Sequence, residues 1–221
     1  MKEEERTMLN LAEDLILLAL DDETGSFYRM TDVNFNLALV GALFMNLAIL
    51  ERIDVDQQNL FISSDEATGD VILDEILHLL AAPDNSCDTA ELIRTVYNAI
   101  PNLRDKLLES LKQKGVVEAK EEKVFWLFHH RRYPVVNNKE EQEILGRIKD
   151  VVLQGEAPEQ KDIVLISLLY VCDLLDKVFT KEELQTHCER LELLRSMDLI
   201  AHSVNKIIAE IQMMIASTFI A

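Results

Sequence analysis

The chain has 221 residues, with 22 lysines and arginines against 40 aspartates and glutamates, a formal net charge of −18. That balance excludes a general nucleic-acid binder, which needs a positive face against the phosphates, and a hydrophobic content of 48% excludes a disordered tail. Six glycines and four prolines are few for a loop-rich β protein, so the composition leans helical, and a chain this long buries about 70% of its unfolded surface without a disulfide or metal.

The first element is a helix over residues 9–20 (LNLAEDLILLAL), with Leu11, Leu15 and Leu18 at helical spacing and Glu13 and Asp14 pointing away from them. Gly25 marks its stop. A second helix covers 32–50, where Ala and Gly41 among large apolar residues suit packing on several sides. Alternation of Ile53 and Val55, then Leu60 and Ile62, predicts a β-hairpin. Asp70 is the N-cap of a short helix with Asp74 and Glu75 in its first turn. Residues 87–114 form one or two helices broken near Pro101, with Gly115 as a C-cap. A second hairpin spans 116–128, its charged turn at 120–123, and 131–137 (RRYPVVN) is a loop. Helices follow over 138–154, 162–179, 181–197 and 199–220, of which the stretch at 163–179 is apolar nearly all round and is expected to be central. The whole, 1–221, reads as mainly α: one helical domain decorated by two β-hairpins.

Several kinds of chemistry are missing. The six glycines stand apart, so no loop clusters enough backbone N–H groups to cradle a nucleotide phosphate. No histidine pair has zinc-protease spacing, no GxSxG elbow occurs, and Asp70, Asp74 and Glu75 read better as helix-start residues than as catalytic carboxylates. No cofactor, metal or enzyme activity is expected. Cys87, Cys172 and Cys188 form no framework, Cys172 sits in an apolar run, and a reducing cytoplasm is the simplest compartment. The N-terminus lacks a signal-peptide layout, and Asn46 and Asp173 interrupt the two longest apolar runs before either reaches 18 residues. The expectation is a soluble cytoplasmic protein or one that meets a membrane only at its surface.

Charge is uneven along the chain. Residues 104–149 hold eleven basic and eight acidic side chains, a net +3, which leaves −21 on the remainder. Such asymmetry marks a candidate anion-binding face, although alternations such as KEEK are also ordinary solvated surface. Arg131 and Arg132, ahead of Tyr133-Pro134, are suited to bidentate phosphate contacts. Tyr28 and Arg29, after Phe27, combine an aromatic and a cation as a membrane interface does, or fold back on the core.

The ordered succession LNLAEDLILLALDDETG, NLAILERIDV, TGDVILDEILHLL, LRDKLLESLKQKGVVEAKEEKVFWLF, RRYPVVN and IVLISLLYVCDLLDKVF resembles the Golgi phosphoprotein 3 family from residue 9 to about residue 179. The resemblance implies a mostly helical peripheral membrane protein. Its eukaryotic members bind phosphatidylinositol 4-phosphate and act as adaptors for resident enzymes. It implies a headgroup pocket built from a Trp after the first helix, an Arg on the second, and two Arg three residues apart. Here those positions fall at or near Tyr28, near Val40, and on Pro101 and Arg104, so only Arg104 keeps the charge. Arg29, Arg131 and Arg132 are candidates to compensate. The absence of a long basic N-terminal extension points to a prokaryotic relative. The apolar arm Phe125, Trp126, Phe128 resembles the family's self-association hairpin, which makes homo-oligomers and protein clients expected partners beside an anionic phospholipid surface. The alternative is a soluble protein-interaction module that has kept the fold and lost the lipid.

Overall fold

A computed structural model describes residues 9–21, 26–27, 32–56, 59–82, 87–118, 120–124, 128–136 and 139–197, with backbone alone at 32, 120–124 and 128–132. The elements run α1 Leu11–Ala19, α2 Asp32–Ile49, β1 Ile53–Val55, β2 Leu60–Ile62, α3 Val71–Leu80, α4 Thr89–Ala99, α5 Leu103–Gln113, β3 Lys120–Val124, β4 Phe128–Arg132 and α6 Lys139–Lys149. A π-helical turn at Asp150–Gln154 extends α6, and α7 Gln160–Val171, α8 Leu175–Val178, α9 Lys181–Thr186 and α10 Cys188–Ser196 complete the described chain. The fold is mainly α, with two antiparallel hairpins.

Two helices form the centre. In α2, Leu37, Ala38, Leu39, Val40, Ala42, Leu43 and Phe44 are all buried, the all-round pattern of a helix enclosed by others. It packs against α1, α3, α4, α5, α7 and β1. The apolar α7 lies against α1, α2, α6 and α10. Its expected run to residue 179 is interrupted. Asp173 takes a left-handed conformation at φ 58, while the amide of Leu174 donates to Leu169 O at 2.8 Å and that of Asp173 to Tyr170 O at 3.1 Å. Those two bonds are a Schellman stop, and the chain resumes as the single turn α8. Gly115, at φ 74, closes α5 in the same way, with Val116 N donating to Leu111 O at 3.0 Å.

The first turn of α1 ties four segments together. Asn10 and Glu13 form a capping box, side chain to backbone in both directions at 2.9 Å. Asn10 Nδ2 also donates to Asp70 Oδ2 at 3.1 Å, and Leu11 N donates to Asn46 Oδ1 on α2 at 3.1 Å. Glu13 is fully buried, against the outward orientation that its charge suggests. Its carboxylate accepts from Lys114 Nζ at 2.6 and 2.8 Å and from Ser110 Oγ at 2.7 Å. A buried carboxylate is tolerated because donors fill its lone pairs. A second pair, Arg147 with buried Asp162, joins α6 to α7.

The second hairpin is placed differently from the sequence expectation. The charged residues 120–123 are strand, not turn, and pair with 129–132, so the reversal falls between Val124 and Phe128. Arg131 and Arg132 belong to β4 instead of a loop, opposite Glu121 and Lys120 respectively. The pairing continues through the bridge of Val117 with Val135 and the bond from Val136 N to Val116 O at 2.9 Å. The expected helix at 181–197 breaks at His187 into α9 and α10, and that at 199–220 lies outside the described residues.

Removing Lys114 leaves Glu13 buried without its cation. Lys114→Met is therefore expected to lower stability by about 3 kcal/mol in urea unfolding, with much of that loss recovered in the double variant Glu13→Gln/Lys114→Met. A loss below about 1 kcal/mol would contradict the tie described here.

Asp14, beside Glu13, is pushed from 3.8 up to about 7. Burial is the main cause and Glu13 adds to it, against the opposing charges of Arg147, Lys161 and Lys114. A folded-state value above the unfolded one means that stability is fullest below about pH 4, falls as pH rises to about 7, and then levels. Asp14→Asn removes this penalty. The variant is expected to match the parent near pH 4 and exceed it by about 1–2 kcal/mol at pH 8, after screening at a partly exposed site. Paired urea titrations at the two pH values measure the difference.

Candidate functional site

A cleft of about 140 Å³ opens where α2 passes the α4–α5 turn, lined by Asn36, Val40, Tyr97, Asn98, Ile100, Pro101 and Leu103. Asn36 and Val40 are four residues apart on α2, so they share a face. The opposite wall is made by a helix end. Ile100 precedes a proline, which disfavours further helix, and it stands at φ −124, ψ 70 after α4 stops at Ala99. Ile100 and Leu103 are buried, while Pro101 and Asn102 are exposed, which pins the turn by its apolar residues.

Arg104 follows the lining residue Leu103 directly in the chain. Its guanidinium carbon lies 5.1 Å from the centre of the Phe27 ring, within cation–π range. Phe27 in turn tilts against Phe35 of α2 at 5.5 Å between ring centres. Phe27 is held because the chain folds back after α1: Leu20 bridges Phe27, and Asp21 N donates to Ser26 O at 2.9 Å. Lys177 of α8 donates to the carbonyl of Leu20 and secures that corner. A cation in the first turn of α5 opposes the helix dipole, and the Phe27 ring offsets this.

The polarity of the lining is unusual. None of the described lining residues is charged; the polar groups are two amides and one phenol. Asn36 Oδ1 is buried with no hydrogen-bond partner among the described residues. An orphaned acceptor costs about 1–3 kcal/mol, and such local violations concentrate at functional sites.

Of the residues singled out in the sequence, the structure brings Val40 and Pro101 together in the cleft and stacks Arg104 on Phe27. Tyr28, Arg29, Phe125 and Trp126 lie outside the described residues, Phe128 is described by its backbone only, and Arg131 and Arg132 sit on β4. The hairpin adds none of the described cleft lining. Asn36, Tyr97 and Asn98 escaped the sequence reading, where the spacing of Asn36 from Val40 was the available signal. Four of the window's eleven basic side chains are engaged internally: Lys106 pairs with Glu75, Lys112 with Glu109, Lys114 with Glu13 and Arg147 with Asp162. The early acidic trio is structural, since Asp70 caps α3 through Ile72 N and Leu73 N, and Thr68 bonds hold Asp74 below the usual carboxylate range. Burial pushes the Cys172 thiol to about 12, so it stays a neutral core group.

A model of the family described as Golgi phosphoprotein 3 (GPP34) matches residues 11–211. The chain belongs to the Golgi phosphoprotein 3 family. This is not a known enzyme family. No helix of the described residues is long and apolar enough to cross a membrane, and no metal-holding cluster occurs among them. In this Golgi phosphoprotein 3 family member, the α2 and α4–α5 positions that the resemblance assigned to headgroup contacts face one another across the cleft, with valine and proline in place of arginine.

Replacing the orphaned amide by an apolar group of similar size removes its desolvation penalty. Asn36→Leu is expected to raise stability by about 1 kcal/mol in urea unfolding. A destabilised variant would show that the amide is satisfied in the fold and that the cleft stores no such penalty.

Proposed function

We propose that this protein is a non-catalytic, peripheral membrane protein that takes an anionic phospholipid headgroup at the α2/α4–α5 cleft, with Arg104 as its phosphate contact. The observation that carries this reading is convergence. Val40 on α2 and Pro101 after α4 line one cleft, and Arg104, which follows the lining residue Leu103 in the chain, is stacked on Phe27 from a third stretch. Family membership gives the cleft its meaning, and the retained arginine gives it a phosphate donor.

The affinity is modest. Each basic residue near an anionic surface contributes about 1 kcal/mol, while the −18 body is repelled by that surface. Binding is therefore oriented, with the cleft and Arg104 inward, and weakened by salt. Arg29, Arg131 and Arg132 are further candidate contacts with the surface.

The competing reading is a protein-interaction module with the same fold. Its support is the engagement of four of the window's basic side chains in internal ion pairs, which thins any basic face.

Flotation over neutral and anionic vesicles separates the two. The parent chain is expected on anionic vesicles at low salt, and Arg104→Glu is expected to reduce its partition by roughly 30-fold, about 2 kcal/mol for reversing one contact. Unchanged recovery of that variant would discard Arg104 as the contact. A folded parent that stays off every vesicle would favour the interaction module.

A further inference from the structure

We propose that the outer strip of α10 formed by Leu193 and Met197 is the docking surface for the chain's own C-terminal segment, residues 199–220, laid back along α10 as an antiparallel helix. The observations come from α10 and from the sequence that follows it.

One side of α10 is fixed to the body of the protein. Leu191 and Leu194 are buried, and the helix packs on α7. Arg190 donates to Val151 O at 2.6 Å and to Glu156 O at 2.7 Å, which ties α10 to the π-helical turn. Arg195 is stacked over the Tyr170 ring of α7, 3.0 Å from its centre. Leu193 and Met197, in contrast, are 59% and 58% exposed. They stand four residues apart and are neighbours on one face, and the step from Leu191 to Leu193 turns the helix by about 200°. Apolar side chains scattered singly on a surface are ordinary. A pair at helical spacing on an otherwise charged helix (CERLELLRS) makes a strip that a second helix can cover.

The helix ends at this strip. It stops at Ser196, and Met197 N donates to Leu194 O at 3.2 Å, the tighter bond of a helix terminus. A loop of about two to five residues is enough to lead into an antiparallel helix. In the sequence that follows, Ile200, Val204, Ile207, Ile208, Ile211 and Ile215 recur at helical spacing and make one apolar stripe. His202, Asn205, Lys206 and Gln212 fall on other faces. A helix over 199–220 extends about 33 Å, more than twice the length of α10. Its first two turns alone reach the strip, with Ile200 and Val204 beside Met197 and Ile207 beside Leu193.

Other occupants fit less well. Interfacial membrane helices carry a polar face rich in Lys and Arg, whereas this segment has Lys206 against Asp198 and Glu210. A stable dimer buries about 1,200 Å² or more, beyond what two side chains from each copy supply. A tethered segment also acts at an effective concentration on the order of millimolar, ahead of a separate molecule. The stripe is thus used within the molecule, and the membrane contact proposed above does not draw on it.

The test is thiol accessibility in the full chain, in a Cys87→Ser/Cys188→Ser background that keeps buried Cys172. Leu193→Cys and Glu192→Cys each place a thiol at an exposed position of α10. A charged maleimide is expected to label position 193 at least about tenfold more slowly than position 192, because 193 reacts only when the docked segment lifts. Val204→Asp/Ile207→Asp charges the stripe and is expected to bring position 193 up to the rate at 192. Equal labelling of the two positions without those charges overturns the proposal. A second measurement identifies the occupant and does not need the charged variant to fold. With oxidised glutathione at low micromolar protein, Leu193→Cys/Val204→Cys is expected to close a disulfide within one chain, and Leu193→Cys/Lys206→Cys is not. A disulfide-linked dimer from the first pair assigns the strip to a second copy and overturns docking in cis. Slow labelling of position 193 only when phosphatidylglycerol vesicles are present assigns the strip to lipid and overturns it likewise.

Discussion

The carboxylate of Glu13 is where the molecule is held together. It lies in the first turn of α1 with no exposed surface, closes a capping box with Asn10, and accepts from Lys114 and Ser110 at the far end of α5. A buried ion is stable only while its partners stay in place. The relative placement of α1 and α5 is thus fixed by chemistry as well as by packing. Asn10 extends the same network to the cap of α3 and Leu11 extends it to α2. The consequence reaches the cleft. α1 leads directly into the fold-back that presents Phe27, and α5 begins with Arg104, so one polar junction sets both halves of the cation–π contact.

Around that junction most local rules are kept, and the departures lie both at the cleft and away from it, where Thr89 Oγ1 is also buried without a partner among the described residues. Asp70 caps α3, Gly115 takes the left-handed position after α5, and α2 is apolar on every side. At the cleft the pattern changes. A buried amide oxygen has no partner among the described residues, a guanidinium occupies a helix N-terminus, and two facing wall positions are apolar where the family resemblance implies charge. Tight packing elsewhere makes these departures affordable, since a penalty of about 1–3 kcal/mol is a sizeable part of a domain's stability.

Much of the fold was legible because its punctuation is local. A proline after Ile100, an aspartate before Val71 and a glycine after Lys114 each act on backbone within a few residues, and each boundary falls where that chemistry puts it. What escaped is non-local. Glu13 looks solvent-facing until Lys114, 101 residues away, is brought beside it. The stop at Asp173 has no glycine to announce it; an aspartate takes the left-handed position instead. The hairpin register depends on which strand residues oppose one another, and apolar content alone put the strands in the wrong place. The cleft was half legible. The resemblance picked out Val40, Pro101 and Arg104, but Asn36, Tyr97 and Asn98 are ordinary helix residues until α2 crosses the α4–α5 turn.

The same crossing changes what the chain's charge means. Counted along the sequence, residues 104–149 form a basic island in an acidic protein. In space, Lys106, Lys112, Lys114 and Arg147 face Glu75, Glu109, Glu13 and Asp162, and two of those acids are buried. Those bases neutralise the protein's own carboxylates, three of them across helices and Lys112 within α5, so their field at a distance is small. The recognition proposed for the cleft then depends on short-range chemistry, where the described lining offers amides and a phenol. A site of this kind discriminates by which groups it can satisfy and not by how much charge it attracts. For the membrane contact proposed above, an acidic body with Arg104 close to the cleft is matched to brief, oriented encounters in which the rest of the surface is repelled.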